Sequence, residues 1–167
     1  MSSVHSNRAV KTNVQEKLIV LCATAGGVGY VPIFPGTVGT LVAIPFSLGL
    51  NRLAEFSLAI ATMALVGAIF CVIALATKAA RVLHQKDPGV IVVDEIVEFL
   101  LGNFSAPMTI PVLLASFLLF RFFDIAKVFP ASQLERIPHG AGIVLDDIMA
   151  GIYTLAAVRV LLTWGIL

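Results

Sequence analysis

Hydrophobic positions in this chain fall into long blocks with few polar interruptions, and the block lengths predict helices. The clearest block is Phe56–Thr77, 22 residues without a charge. As an α-helix it is about 33 Å long, enough to cross the ~30 Å hydrocarbon layer of a bilayer. Asp146–Leu167 is a second block, apolar after its first two residues except for Arg159. Val38–Leu50 and Met108–Phe120 are shorter and are extended by flanking residues. Val90–Phe104 is apolar apart from Asp94, Glu95 and Glu98. A carboxylate at mid-bilayer costs at least ~2.5–3.5 kcal/mol, so this segment packs inside a bundle or lies near its rim. Leu18–Ala25 is apolar but runs into the Gly/Pro-rich stretch Gly26–Gly36, which suits a loop or a re-entrant segment covered by protein. Ala23-Thr24-Ala25 imitates a signal cleavage site, yet the glycines and prolines beyond it favour an uncleaved segment.

Basic residues orient these blocks. Arg8, Lys11 and Lys17 precede the first span, Lys78, Arg81 and Lys86 follow the second, and Arg121, Lys127 and Arg136 precede the last. Lys and Arg concentrate on the cytoplasmic side of membrane proteins, which puts all three groups there. The crossings then alternate: Val38–Leu50 outward, Phe56–Thr77 inward, Val90–Phe104 outward, Met108–Phe120 inward, Asp146–Leu167 outward. Leu18–Phe34 does not cross, and the outer loops keep Arg52 and Glu55. The expectation is an all-α integral membrane bundle with about five membrane-embedded helices. Residues 1–16 form a flexible cytoplasmic tail and 17–167 a single embedded domain, with no internal repeat or linker.

Composition supports that class. Of 167 residues 59% are hydrophobic and 13% charged, against roughly 45–50% and 25% in soluble domains; the mean hydropathy is +1.00. A net charge of +1 offers no basic excess for nucleic acid. Cys22 and Cys71 have no metal-ligand spacing and read as small buried hydrophobes.

The topology gathers the acids. Asp94, Glu95, Glu98, Asp124, Asp146 and Asp147 all fall at cytoplasmic helix ends, six of the ten acidic residues. Asp94 and Glu98 are spaced i, i+4 on one helix face, while Arg121, Asp124 and Lys127 step by threes along another helix. Carboxylates crowded at a low-dielectric boundary need counter-charge. Arg121 and Lys127 supply part of it, and a divalent cation would supply the rest; Mg²⁺ favours carboxylate oxygens, water and substrate phosphate. The plainer reading is that the acids pair with Arg121, Lys127 and Arg136 and only fix helix packing. Two glycine-containing loops flank the cluster: Pro35-Gly36-Thr37-Val38-Gly39-Thr40, and Pro138-His139-Gly140-Ala141-Gly142 leading to Asp146-Asp147. Their glycines, hydroxyls and helix-start amides suit a phosphate, or simply a helix entry. His139 is a candidate proton donor or a structural loop histidine. Arg159 snorkels or is paired. A small cation- or proton-coupled transporter would also use intramembrane acids, but it places them near the midplane between repeats. A non-catalytic assembly subunit would pair them with another chain.

Taken in order, Pro35-Gly36-Thr37-x-Gly39-Thr40, Asp94-Glu95, Arg121-x-x-Asp124-x-x-Lys127, His139-Gly140-x-Gly142 and Asp146-Asp147-x-x-Ala150-Gly151 resemble the bacterial phosphatidylglycerophosphatase A family over about residues 18–165. The resemblance implies an all-helical, Mg²⁺-dependent inner-membrane phosphatase that converts phosphatidylglycerophosphate to phosphatidylglycerol with its site facing the cytoplasm. Its partners would be the phospholipid substrate and the bilayer. On that reading Asp94, Glu95, Asp146 and Asp147 hold the metal, and Asp124 is a further ligand or an orienter. Arg121, Lys127, Thr37 and Thr40 bind phosphate. One carboxylate takes the proton of the attacking water, with an aspartyl-phosphate route as the variant. The chain departs from the family pattern at Glu98, where a glycine is usual, at Lys127-Val128-Phe129-Pro130 for Lys-Pro-x-Pro, and at Gly140-Ala141 for paired glycines.

Overall fold

A computed structural model describes residues 13–85, 88–126, 129 and 140–167, with backbone alone described for 140–147. Six α-helices and one 3₁₀ turn are the regular elements among the described residues. In order they are α1 (Val14–Ala23), the 3₁₀ turn (Val28–Tyr30), α2 (Pro35–Phe56), α3 (Leu58–Val82), α4 (Val93–Gly102), α5 (Ile110–Ala126) and α6 (Gly140–Thr163). No strand occurs among them, so the all-α expectation holds.

Local chemistry sets the boundaries. The Asn13 N–H donates to Glu16 Oε2 at 3.0 Å, so α1 begins inside the segment expected to be a tail; residues 1–12 lie outside the described ones. α1 is ten residues, about 15 Å, and ends where Ala25, Gly26 and Gly27 turn to φ of 50°, 73° and 99°. Gly26–Gly36 therefore interrupts the apolar run instead of extending it. Pro35 sits at the first position of α2, where its missing N–H removes no helical bond. Ser57 is extended and its Oγ accepts from the Ile60 N–H at 3.4 Å. That cap divides α2 from α3 and moves the expected Phe56–Thr77 helix to Leu58–Val82.

α2 and α3 are each long and apolar enough to cross a membrane. In their most apolar windows only 28% and 17% of residues are buried, and Met63, Val66 and Phe70 of α3 point outward. The core helix of a water-soluble protein hides such a surface; here the surface needs an apolar covering. Cys22 and Cys71 are also exposed, which corrects their expected burial. Each lies on an outward helix face, where a small apolar side chain is at home.

α4 is central, packing on α2, α3, α5 and α6. Its ten residues span about 15 Å, shorter than the expected Val90–Phe104 segment. The reason lies 52 residues away. Asn51 Nδ2 donates to the carbonyls of Asn103 (3.0 Å) and Ala106 (3.2 Å), and Asn51 Oδ1 accepts from the Ser105 N–H at 2.8 Å. These bonds replace the helical ones that α4 gives up. Asn103 Nδ2 donates to Ser47 Oγ at 2.7 Å and Asn103 Oδ1 accepts from Ser116 Oγ at 2.9 Å. Ser47, Asn51, Asn103 and Ser116 are all buried. Asn51→Ala would strand two carbonyls and one amide in an apolar setting, so a loss of roughly 3 kcal/mol of stability is expected. A lowered thermal midpoint in detergent measures it, and an unchanged midpoint would contradict the network's role.

Packing fixes the helix directions. Gly39 lies beside Val92 and Ser47 beside Asn103, so α2 and α4 run parallel. Gly151 meets the Glu98 carbonyl and Gly102 meets Thr154, so α6 is parallel too. Ser116 reaches Asn103 and Arg121 reaches Glu95, so α5 is antiparallel. The starts of α2, α4 and α6 and the end of α5 therefore share one end of the bundle. Phe99 and Phe120, both fully buried, pack edge-to-face at 6.1 Å and lock α4 to α5 below that end.

Candidate functional site

α4 begins with Val93-Asp94-Glu95, and the positive end of its dipole favours those two acids in its first turn. Asp94 is 4% exposed, and its Oδ1 accepts from the Glu95 N–H at 3.1 Å. Glu98, one turn on, is fully buried. The Glu95 side chain extends toward the first turn of α2 and settles against its glycines. A Cβ at Gly36 would overlap Glu95 Oε1, and one at Gly39 would sit 3.0 Å from Glu95 Oε2. Sequence reasoning assigns these glycines to ligand approach; the structure shows them making room for a carboxylate of the protein itself.

Arg121, at the end of α5, ties the acids together. Its Nη1 lies 2.7 Å from Asp124 Oδ2 and 3.9 Å from Glu95 Oε1, with all three side chains about one-sixth exposed. The i, i+3 spacing of Arg121 and Asp124 puts them on one helix face. The guanidinium also lies 3.2 Å from the position of a Gly36 Cβ, so it reaches the start of α2.

The start of α2 is open toward this group. Phe34, at φ 50°, turns the chain into the helix without a side-chain cap. The first helical bond runs from the Val38 N–H to the Phe34 carbonyl at 3.2 Å. Pro35 has no N–H, so the Gly36 and Thr37 amides stand outside the helical ladder, as helix-start donors do. Thr37 is half-buried beside them. Thr40 is fully buried and its Oγ1 donates to the Gly36 carbonyl at 2.9 Å, so its proton is engaged within α2. The chemistry on offer is a guanidinium and two backbone donors for an anion, next to carboxylates able to hold a cation or accept a proton.

The remaining expected residues come from α6 and the segment before it. Asp146 and Asp147 lie in the second turn of α6. The parallel pairing of Gly151 with Glu98 and of Thr154 with Gly102, carried back one turn, sets the Asp147 backbone level with Asp94; its side chain and that of Asp146 lie outside the described residues. Lys127 and His139 lie outside them altogether. Among the described residues no three His, Cys, Asp or Glu side chains form a group able to hold a metal ion. Two features escape a reading of the sequence: the seat that Gly36 and Gly39 make for Glu95, and the buried polar group around Asn103. No local motif signals either one.

Fold and site together define an all-α protein with outward-facing apolar helices and, at one end, an acid-rich group beside an anion-receptive helix start. The chain belongs to the phosphatidylglycerophosphatase A family, whose profile matches residues 21–162. It is 36% identical over 152 residues to a phosphatidylglycerophosphatase A of Haemophilus influenzae, covering 87% of this chain and 90% of the relative. It is 34% identical over 140 residues to the protein of that name in Escherichia coli, covering 79% and 76%. A Bacteroides thetaiotaomicron protein provisionally named a phosphatidylinositol-3-phosphatase is 31% identical over 151 residues, covering 86% and 92%. No solved structure matches significantly. Membership makes the chain a phosphatase acting on a phosphate monoester.

Proposed function

We propose that the chain hydrolyses phosphatidylglycerophosphate to phosphatidylglycerol and phosphate at the cytoplasmic face of a bacterial inner membrane, with Mg²⁺. The observation that carries this is the Glu95–Arg121–Asp124 group seated on Gly36 at the open start of α2. It joins phosphate donors to carboxylates in one place. The relatives named phosphatidylglycerophosphatase A support the substrate. Exposed Tyr30, Ile33 and Phe34 lead into the same turn and offer apolar contact to a lipid. In the membrane reading, α2 to α6 are the five embedded helices, running in alternate directions, and the acids lie at the edge of the bilayer. A transporter would need them near its middle.

Arg121 and the Gly36 and Thr37 amides bind the non-bridging phosphate oxygens, joined by the Thr37 hydroxyl and Lys127. Thr40 supports the turn from beneath. Asp94, Glu95, Asp146 and Asp147 would hold Mg²⁺, with Asp124 holding Arg121 in line or adding a ligand. The fit is chemical: every donor is a carboxylate oxygen, as Mg²⁺ prefers, and the α6 pair is needed to close the set. The ion, when bound, neutralises phosphate charge and helps align the reacting oxygens. A water oxygen attacks phosphorus, the bond from phosphorus to the glycerol oxygen breaks, and one carboxylate accepts the water's proton. The glycerol oxygen leaves with a proton, for which His139 is the candidate donor. The same residues allow attack by an aspartate followed by hydrolysis.

The test is phosphate release by detergent-purified protein. Release from phosphatidylglycerophosphate should require Mg²⁺, fall to background in EDTA, and drop by about 10²-fold or more in Asp94→Asn with the melting curve unchanged. Release unaffected by EDTA would remove the metal. Release from phosphatidylinositol 3-phosphate alone would transfer the substrate to that named for the Bacteroides relative.

A further inference from the structure

The opposite end of the bundle carries a cavity of mixed polar and apolar lining, remote from the acids described above. It has a volume of about 370 Å³ and is lined by Asn51, Glu55, Ser105, Pro107, Arg159 and Leu162 among others. Asn51 lies 15 residues beyond Gly36 along α2, a rise of roughly 22 Å, so the cavity belongs to the other face. Exposed Phe56 and Trp164 flank it in sequence, and Trp is typical of the level where a bilayer meets water.

The cavity holds one charge of each sign, and the two do not pair. Arg159 Nη2 donates to the carbonyls of Phe104 at 2.8 Å and Ser105 at 3.0 Å. Those bonds fix the guanidinium against the loop after α4. A guanidinium has five N–H donors, and among the described residues Nε and Nη1 make no bond, which leaves them for a ligand. Glu55, in the last turn of α2, has neither a hydrogen bond nor an ion pair among the described residues. Both side chains are exposed, so each charge can meet a ligand that enters the cavity from outside.

We infer that this cavity binds the headgroup of an outer-leaflet phospholipid that carries both a phosphate and a primary ammonium, the phosphate on Arg159 and the ammonium on Glu55. A fixed cation with spare donors matches phosphate oxygens. A separate carboxylate matches an ammonium a short linker away, and it repels purely anionic lipids. A quaternary ammonium lacks the N–H donors that would bond the carboxylate, so choline headgroups bind less well. Such a lipid would cover part of the outward apolar surface as a bound neighbour and not as a substrate. The inference rests on the membrane reading given above and is independent of the phosphatase reaction.

The experiment is native mass spectrometry of delipidated, detergent-held protein titrated with short-chain phosphatidylethanolamine, phosphatidylcholine and phosphatidylglycerol. Wild type should bind phosphatidylethanolamine about tenfold more tightly than phosphatidylglycerol. Glu55→Gln, which breaks no bond within the protein, should erase that preference while phosphate release stays unchanged. Arg159→Gln should lower binding of all three by about tenfold, and Arg159→Lys should restore part of it. Equal affinities in wild type, or a Glu55→Gln profile identical to wild type, would overturn the proposal. Failure of phosphate release in wild type would strike the catalytic reading alone. Release of the protein from membranes without detergent would overturn the membrane reading and this inference with it.

Discussion

Arg121→Ala is expected to lower kcat/KM for phosphate release by about 10²–10³-fold, the usual effect of removing one donor aimed at a developing negative charge. The geometry gives Arg121 a second role beside the phosphate binding proposed for it. Its Nη1 holds Asp124 at 2.7 Å and approaches Glu95 at 3.9 Å, so alanine also leaves two acids without their shared counter-charge. The loss should therefore appear in kcat as well as KM. Arg121→Lys keeps the charge but cannot span both acids and a phosphate with one planar fork. It should recover only a minor part of the rate. A rate within a few-fold of wild type in Arg121→Ala would remove this residue from the site, whatever the substrate proves to be.

Gly36→Ala is the second change with a large expected effect, because a single methyl reaches both halves of the site. The added Cβ would overlap Glu95 Oε1 and lie 3.2 Å from Arg121 Nη1. Helix propensity alone favours alanine over glycine by about 1 kcal/mol, so without the contact to Glu95 the variant would be the more stable protein. The packing predicts displacement of Glu95 and Arg121 and a loss of activity of about 10²-fold, in line with the penalty for misplacing reacting groups by about 1 Å. Gly49→Ala, on the same helix with nothing near its Cβ, is the control and should keep full activity. Equal activity in the two variants would mean that the seat under Glu95 has no catalytic importance.

The helices were legible because a charge-free block of sufficient length is a property of composition, visible at Phe56–Thr77 without any contact. Their ends were not. Ser57 is one polar residue in an apolar run, and only its bond to the Ile60 amide shows that it divides two helices. The end of α4 depends on Asn51, so no window around Asn103 reveals it. The grouping of acids was readable because charge and helix direction suffice, and Asp94, Glu95, Glu98 and Asp124 do gather toward one end of the bundle. The glycines of the α2 loop illustrate its limit. Small residues announce a close approach but do not say what approaches, and here it is Glu95. The two cysteines fail for a related reason: that cysteine is usually buried is a rule about proteins whose exterior is polar, whereas α1 and α3, which carry Cys22 and Cys71, both expose apolar side chains.

The short α4 is held at both ends, by the glycine seat at its start and by the asparagine and serine side chains at its finish. Asp94, Glu95 and Glu98 therefore ride on one stiff rod about three turns long, and they shift together or not at all. Their mutual spacing would then be a fixed gauge for the headgroup proposed to enter beside them. On the proposed reading, whatever adjustment binding demands falls to the parts around the rod, the first turn of α2 and the tip of α5, where Arg121 would exchange its hold on the acids for one on the phosphate.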